Sequence, residues 1–155
     1  MTTSCTEAFA APTRVTVAGK DYELHPLRFR DWGQLEQFLR DKIVDLGRRS
    51  MERATDPADK DRIMATAYRA GAEVSLTSDD PVKEAQAQVL LSAPDTLIEL
   101  VYLSVRRGQP AFTRDHAEDL CDTADSVKEL AETIMRISRG GSEKNPPEAA
   151  PGAGQ

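Results

Sequence analysis

The chain is poor in several things that would narrow its chemistry. It holds two cysteines, Cys5 and Cys121, among 155 residues. A disulfide framework is therefore not what stabilises it, and a reducing compartment suits it. Aromatic residues make up only 5%. The core must then be aliphatic and alanine-rich, a composition that favours helices over sheets. Positive charge is in deficit: 20 Lys and Arg stand against 26 Asp and Glu, a net charge of −6. Gripping nucleic acid takes a clustered basic surface, and an acidic surface is repelled by anionic membranes. No apolar run approaches the ~20 residues of a membrane span. The opening MTTSCTEAFAAPTR has neither the basic start nor the apolar run of a secretory signal, so none is expected.

Catalytic motifs are equally scarce. There is no Gly-x-Ser-x-Gly elbow, no glycine-rich phosphate loop and no dinucleotide fingerprint. His116 lies beside Asp115 and three residues from Asp119. A zinc site needs three or four ligands in matched geometry, and no second cluster is at hand to complete one. Asp115, Glu118, Asp119, Asp122 and Asp125 read more simply as a solvated acidic helix face. His25 precedes a proline and has no nominated partner for acid–base work. Cys121 shares a helix face with Ala117, Leu120 and Ala124, where it behaves as a small hydrophobe. Neither an enzyme, a cofactor nor a bound metal is expected.

What is present is hydrophobic pattern. The richest stretch is Thr96 to Val105, TLIELVYLSV, broken only by Thr96, Glu99 and Ser104. A helix apolar nearly all round must be enclosed by other helices or by a partner. Ahead of it, Val15 and Val17 alternate with Thr16, and Tyr22 and Leu24 with Asp21 and Glu23. Gly19-Lys20 between the runs predicts a β-hairpin turn, and Pro26 ends the second strand.

Asp31, with Gln34 three residues on, predicts a capped helix start. Trp32, Leu35, Phe38, Leu39, Ile43 and Leu46 follow at helical spacing up to Gly47. Asp56-Pro57 and Asp80-Pro81 are two further starts, with aspartate as N-cap and proline at the first turn. The second helix carries Ile63, Ala67, Ala70 and Val74, widened by Met64 and Tyr68; the third carries Val82, Ala85, Val89 and Leu90. The central helix runs from Pro94 to about Arg107, where Arg106-Arg107 complement its dipole and Gly108 and Pro110 stop it. Thr113 opens a fifth helix. Ser126, with Glu129, opens a sixth through Leu130, Ile134 and Ile137, closed by Gly140-Gly141. The expected fold is mainly α (α+β): a flexible leader over 1–13, then a single helical domain over 14–139. In that domain an N-terminal β-hairpin precedes a compact bundle of five or six helices. A tail over 140–155, rich in proline and glycine and lacking core formers, is expected to be disordered.

The order of these parts resembles a known family. A strand pair reading VTVAGKDYELHPLRFRDW leads into an amphipathic helix. An apolar helix ending in RRGQP follows, then the acidic helix FTRDHAEDL and a last amphipathic helix. Over residues 14–139 this is similar to the tail assembly chaperones of long-tailed bacteriophages and prophages. The resemblance implies a non-enzymatic protein that coats the tape measure protein, keeps it soluble and helps deliver it to the tail-tube protein. It implies residence in the cytoplasm of the bacterial host and absence from the mature virion; a weak homo-oligomer is a further expectation. Long helices with bare apolar stripes aggregate, and a small acidic protein with apolar grooves could cover them. Trp32, Leu35, Val101, Tyr102, Val105 and Phe112 are the candidate partner-binding residues. Family members are often made in two lengths by ribosomal frameshifting. Glu143-Lys144-Asn145 could be encoded by a slippery A-AAA-AAC heptamer. The competing expectation is a structural subunit of the particle, a tail terminator or head–tail connector that forms rings.

Overall fold

The structure is a computed structural model that describes residues 11–124 and 127–139. The leader through residue 10 with Cys5, the Ser126 cap, the Gly140-Gly141 stop and the tail beyond lie outside the described residues.

Two strands pair antiparallel, β1 (Thr13–Val17) and β2 (Lys20–Leu24), with Val17 opposite Lys20. The two turn residues are therefore Ala18 and Gly19, one position earlier than the expected Gly19-Lys20. Both have positive φ, 49° and 75°. That is the mirror-image turn whose twist matches a right-twisted ribbon, and Gly19 accepts it at no steric cost. On the inner face Val17 and Leu24 are buried.

Six helices follow. The first, α1 (Phe29–Arg53), begins two residues before Asp31 and runs six past Gly47. Asp31 is thus the third helical residue rather than the cap: its carboxylate accepts the Arg28 backbone N–H at 2.8 Å. Gly47 continues the helix because α2 (Pro57–Ala72) crosses close by. A Cβ at Gly47 would come within 2.3 Å of the Ala67 Cβ. The glycine here serves close approach, not termination. Asp56 caps α2 through Ala58 N–H, as expected. The apolar side of α2 is centred on Ala67 and Gly71, whereas Ala70 and Tyr68, expected in its stripe, are exposed.

Asp80 likewise caps α3 (Pro81–Leu91). The chain then turns by 88° into α4 (Pro94–Val105). No single helix among the described residues is long and apolar enough to cross a membrane. Beyond α4, α5 (Arg114–Thr123) and α6 (Val127–Ser138) complete the bundle.

The central helix is enclosed as its composition requires. Leu100, Val101, Leu103 and Val105 are almost wholly buried, and so are Thr96 and Ser104. They pack with Leu24, Leu27, Leu35, Leu120 and Ile134, so the hairpin and α1, α5 and α6 all meet on α4. Each such side chain contributes ~1.5–3 kcal/mol relative to exposure.

The strand-to-helix link, residues 25–28, is held by polar bonds from three directions. Ser104 Oγ donates to the His25 carbonyl at 2.8 Å. Leu27 N–H donates to Ser138 Oγ at 2.8 Å. Arg107 donates to the Pro26 carbonyl at 2.6 Å and also to the Asp31 carboxylate. Arg106 bonds Gln34 and stands 3.7 Å from Asp31. The paired arginines therefore neutralise a buried carboxylate on another helix, a larger role than dipole complementation alone.

Candidate binding grooves

The expected partner-binding residues fall into two groups. Leu35, Val101 and Val105 have no exposed surface, and Phe112 is 8% exposed. They are core: Phe112 meets Tyr22 edge-on, with ring centroids 6.1 Å apart. In this conformation no partner reaches Leu35, Val101, Val105 or Phe112, because neighbouring helices and the hairpin already cover them. Trp32 and Tyr102 are half-buried at the margin of that core. The Arg106 guanidinium lies over the Tyr102 ring, 5.0 Å from its centroid. The structure does not bring these six residues together into one exposed surface.

His116 has a structural role at the start of α5. His116 Nδ1 accepts the Thr113 backbone N–H at 3.1 Å, and the Thr113 hydroxyl accepts from His116 N–H at 3.3 Å. This is a reciprocal cap at the start of α5. Asp115, Glu118, Asp119 and Asp122 are exposed on that helix. Among the described residues, no three His, Cys, Asp or Glu side chains gather as a metal site would require. Burial pushes the Cys121 thiol up to about 11, with Asp122 adding to the shift. A thiol held protonated is a poor nucleophile.

One cluster joins α1 to α4 and α5. Lys42 pairs with Asp95, and Arg114 stands 3.7 Å from Glu99. Phe38 lies beneath both cations, 5.6 Å from Lys42 Nζ and 4.9 Å from the Arg114 guanidinium carbon. The hydrogen bond and charge of Lys42 hold the Asp95 carboxyl below its ordinary value. Burial raises Glu99 above its own, against the opposing pull of Arg114 and Arg106.

Exposed large apolar side chains occur on α1 (Phe29, Leu46), α2 (Tyr68) and α3. Val82 is 66% and Val89 71% exposed, and Ala85 between them is exposed too. These residues, expected to pack inward with Leu90, face outward. The physical reason is spacing. Residues 82, 85 and 89 fall on one side of a helix, and 87, 90 and 91 fall roughly half a turn away. Ala87 is buried, and Leu90 and Leu91 are half-buried. The helix thus carries two apolar sides and the bundle takes one. Its alternating spacing was visible in the sequence; which side would be covered was not.

Apolar grooves flank α3. The first, of about 360 Å³, lies between α3 and the α1–α2 pair, lined by Ile43, Ala70, Val74, Ala87, Val89 and Leu90 with Lys83 at its edge. The second, of about 540 Å³, runs between α3, the start of α4, and α6. Its wall is Leu91, Leu97, Leu100, Ala131 and Met135, and Lys128, Glu132 and Arg139 stand at its rim. Both have the size of ligand or peptide clefts. Chemically they offer apolar contact and a few rim charges. Comparison with known proteins finds no matching family model, no similar protein of established function and no similar solved structure.

Proposed function

We propose that this chain is a tail assembly chaperone, a binding protein that holds apolar stripes of the tape measure protein's helices during phage tail assembly. The observation that carries the reading is α3. It is a capped helix that leaves Val82, Ala85 and Val89 bare between two apolar grooves. A partner helix laid there would bury the bare valines and fill a groove with side chains at i, i+3, i+4 and i+7 spacing. The acidic face of α5 stays in water and keeps the coated assembly dispersed. The order of hairpin, apolar helix and acidic helix supports the same reading through the family resemblance.

The test is co-expression with a phage tape measure protein, a long helical chain. The expected outcome is that the wild-type chain keeps it soluble and co-purifies with it. The double variant Val82→Gln and Val89→Gln is expected to lose both effects while its own melting temperature stays unchanged, since both side chains are exposed. Retention of an insoluble tape measure by the wild-type chain would overturn the reading. So would full activity in the double variant, or a closed ring formed by the isolated chain.

A further inference from the structure

The hairpin has an uncommitted edge. In a two-residue mirror turn the residues flanking the turn bond each other, and alternate residues then turn their backbone groups outward. With Val17 opposite Lys20 and Val15 opposite Tyr22, the outward residues of β1 are Arg14 and Thr16. Among the described residues, no hydrogen bond is made by the backbone N–H or C=O of either. Beside this edge lies an open slot of about 600 Å³, bounded by β1 on one side and by Thr123, Ala124, Leu130 and Thr133 on the other. Its lining is mixed: Val15 and Val17 come from the strand, with threonines and Glu129 among the polar groups.

We infer that the β1 edge pairs with the β1 edge of a second copy of this chain, giving a four-stranded antiparallel sheet. The register argues for a copy as occupant. An antiparallel pair centred on Val15 puts Arg14 opposite the second copy's Thr16, in both directions, so each outward N–H and C=O finds its partner. Across the outer face each row then reads Glu23, Arg14, Thr16 of the second copy, Asp21 of the second copy. Within one chain Arg14 already bonds Glu23 at 3.3 Å and Thr16 bonds Asp21 at 2.6 Å. No like charges come directly opposite one another. Across the inner face the central row reads Tyr22, Val15, Val15, Tyr22, an apolar band.

The other edge is self-repelling. Pairing β2 with itself about Tyr22 would set Asp21 against Glu23 in both rows, which disfavours association. A two-stranded ribbon is marginal on its own and four strands are not, so the contact strengthens the two-stranded sheet. The inference is independent of the proposed function.

Sedimentation velocity on the full chain over a concentration series tests it, with amide exchange of Arg14 and Thr16 followed by NMR. A reversible dimer is expected, and both amides should exchange more slowly as concentration rises. Thr16→Lys sets lysine opposite Arg14 of the second copy in both rows, while within its own chain it faces Asp21. It should weaken the dimer about tenfold with no loss of melting temperature. Thr16→Pro removes one outward N–H at a position where an edge strand accepts proline, and should abolish the dimer. The inference is overturned by a monomer at every concentration. It is equally overturned by a dimer whose strength and amide exchange ignore both variants, or by a dimer that appears only after residues 1–10 are deleted, since the leader would then be the occupant.

Discussion

Two consecutive helices, α3 and α4, begin alike and end up in opposite surroundings. Each has proline in its first turn, and each is rich in valine and leucine. The helix α4 buries six of its twelve residues, while α3 buries only Ala87 of its eleven. Hydrophobic content does not separate them as sharply as neighbours do. The central helix is met by the hairpin, α1, α5 and α6. By contrast, α3 precedes the 88° turn and lies at the margin; no residue of α2 or α3 is in the main buried cluster, and only the half-buried Leu91 at the end of α3 packs against it. The molecule therefore has a tight half, built on α4, and an open half, built on the far end of α1 with α2 and α3. Binding surfaces are drawn from regions that leave apolar groups unspent, and the open half holds Leu46, Tyr68, Val82 and Val89, with Phe29 exposed at the start of α1.

The contrast can be broken most directly at Val101, whose side chain has no exposed surface. Val101→Asp should unfold the whole chain, because an unpaired buried charge costs several kcal/mol. Loss of helical circular dichroism at room temperature is the expected result. A smaller but still global effect is expected from Asp31→Ala. It strands Arg107 and the Arg28 N–H, a loss of ~3 kcal/mol for a largely buried pair, seen as a lower denaturant midpoint. Gly47→Ala acts on the open half. The added methyl meets Ala67, so α1 and α2 must splay at a cost of ~1–3 kcal/mol. Amide exchange should accelerate over α2 and the end of α1, and far less over α4.

The smallest effect sharpens the boundary between the halves, at Glu99. Its carboxyl titrates above its ordinary value because burial outweighs the attraction of Arg114. Ionising it therefore costs more in the folded chain than in the unfolded one. The penalty is absent below the unfolded pKa and complete above the folded one. Glu99→Gln should thus raise the melting temperature slightly at pH 7 and leave it unchanged at acidic pH, where both states already hold the proton.

Much of the fold was legible in local chemistry. Asp56-Pro57, Asp80-Pro81 and Thr113 mark helix starts because a short side chain that accepts backbone N–H bonds is a local event. The enclosed character of Thr96 to Val105 followed from its having no polar side to show water. The start and end of α1 did not. Asp31 looks like a cap, but the chain enters the helix earlier because residues 25–28 are held by Ser104 and Ser138, both more than seventy residues away in the chain. Gly47 looks like a stop, and only the crossing of α2 explains why it is not. Four of the expected binding residues, Leu35, Val101, Val105 and Phe112, lie in the core for a related reason. Large apolar residues suit a partner and a core equally, and sequence spacing alone does not say which of them neighbouring elements have already covered.

The amino-acid sequence by itself determined that this is a helical chain with one β-hairpin, an aliphatic core and an acidic surface, since turns, caps and periodicity act over a few residues. Tertiary structure alone decided that Arg106 and Arg107 neutralise Asp31, that Leu35, Val101, Val105 and Phe112 are interior, and that α3 turns Val82 and Val89 to water. Those outcomes depend on which helices meet, and a buried charge or an exposed valine is defined only by what stands against it.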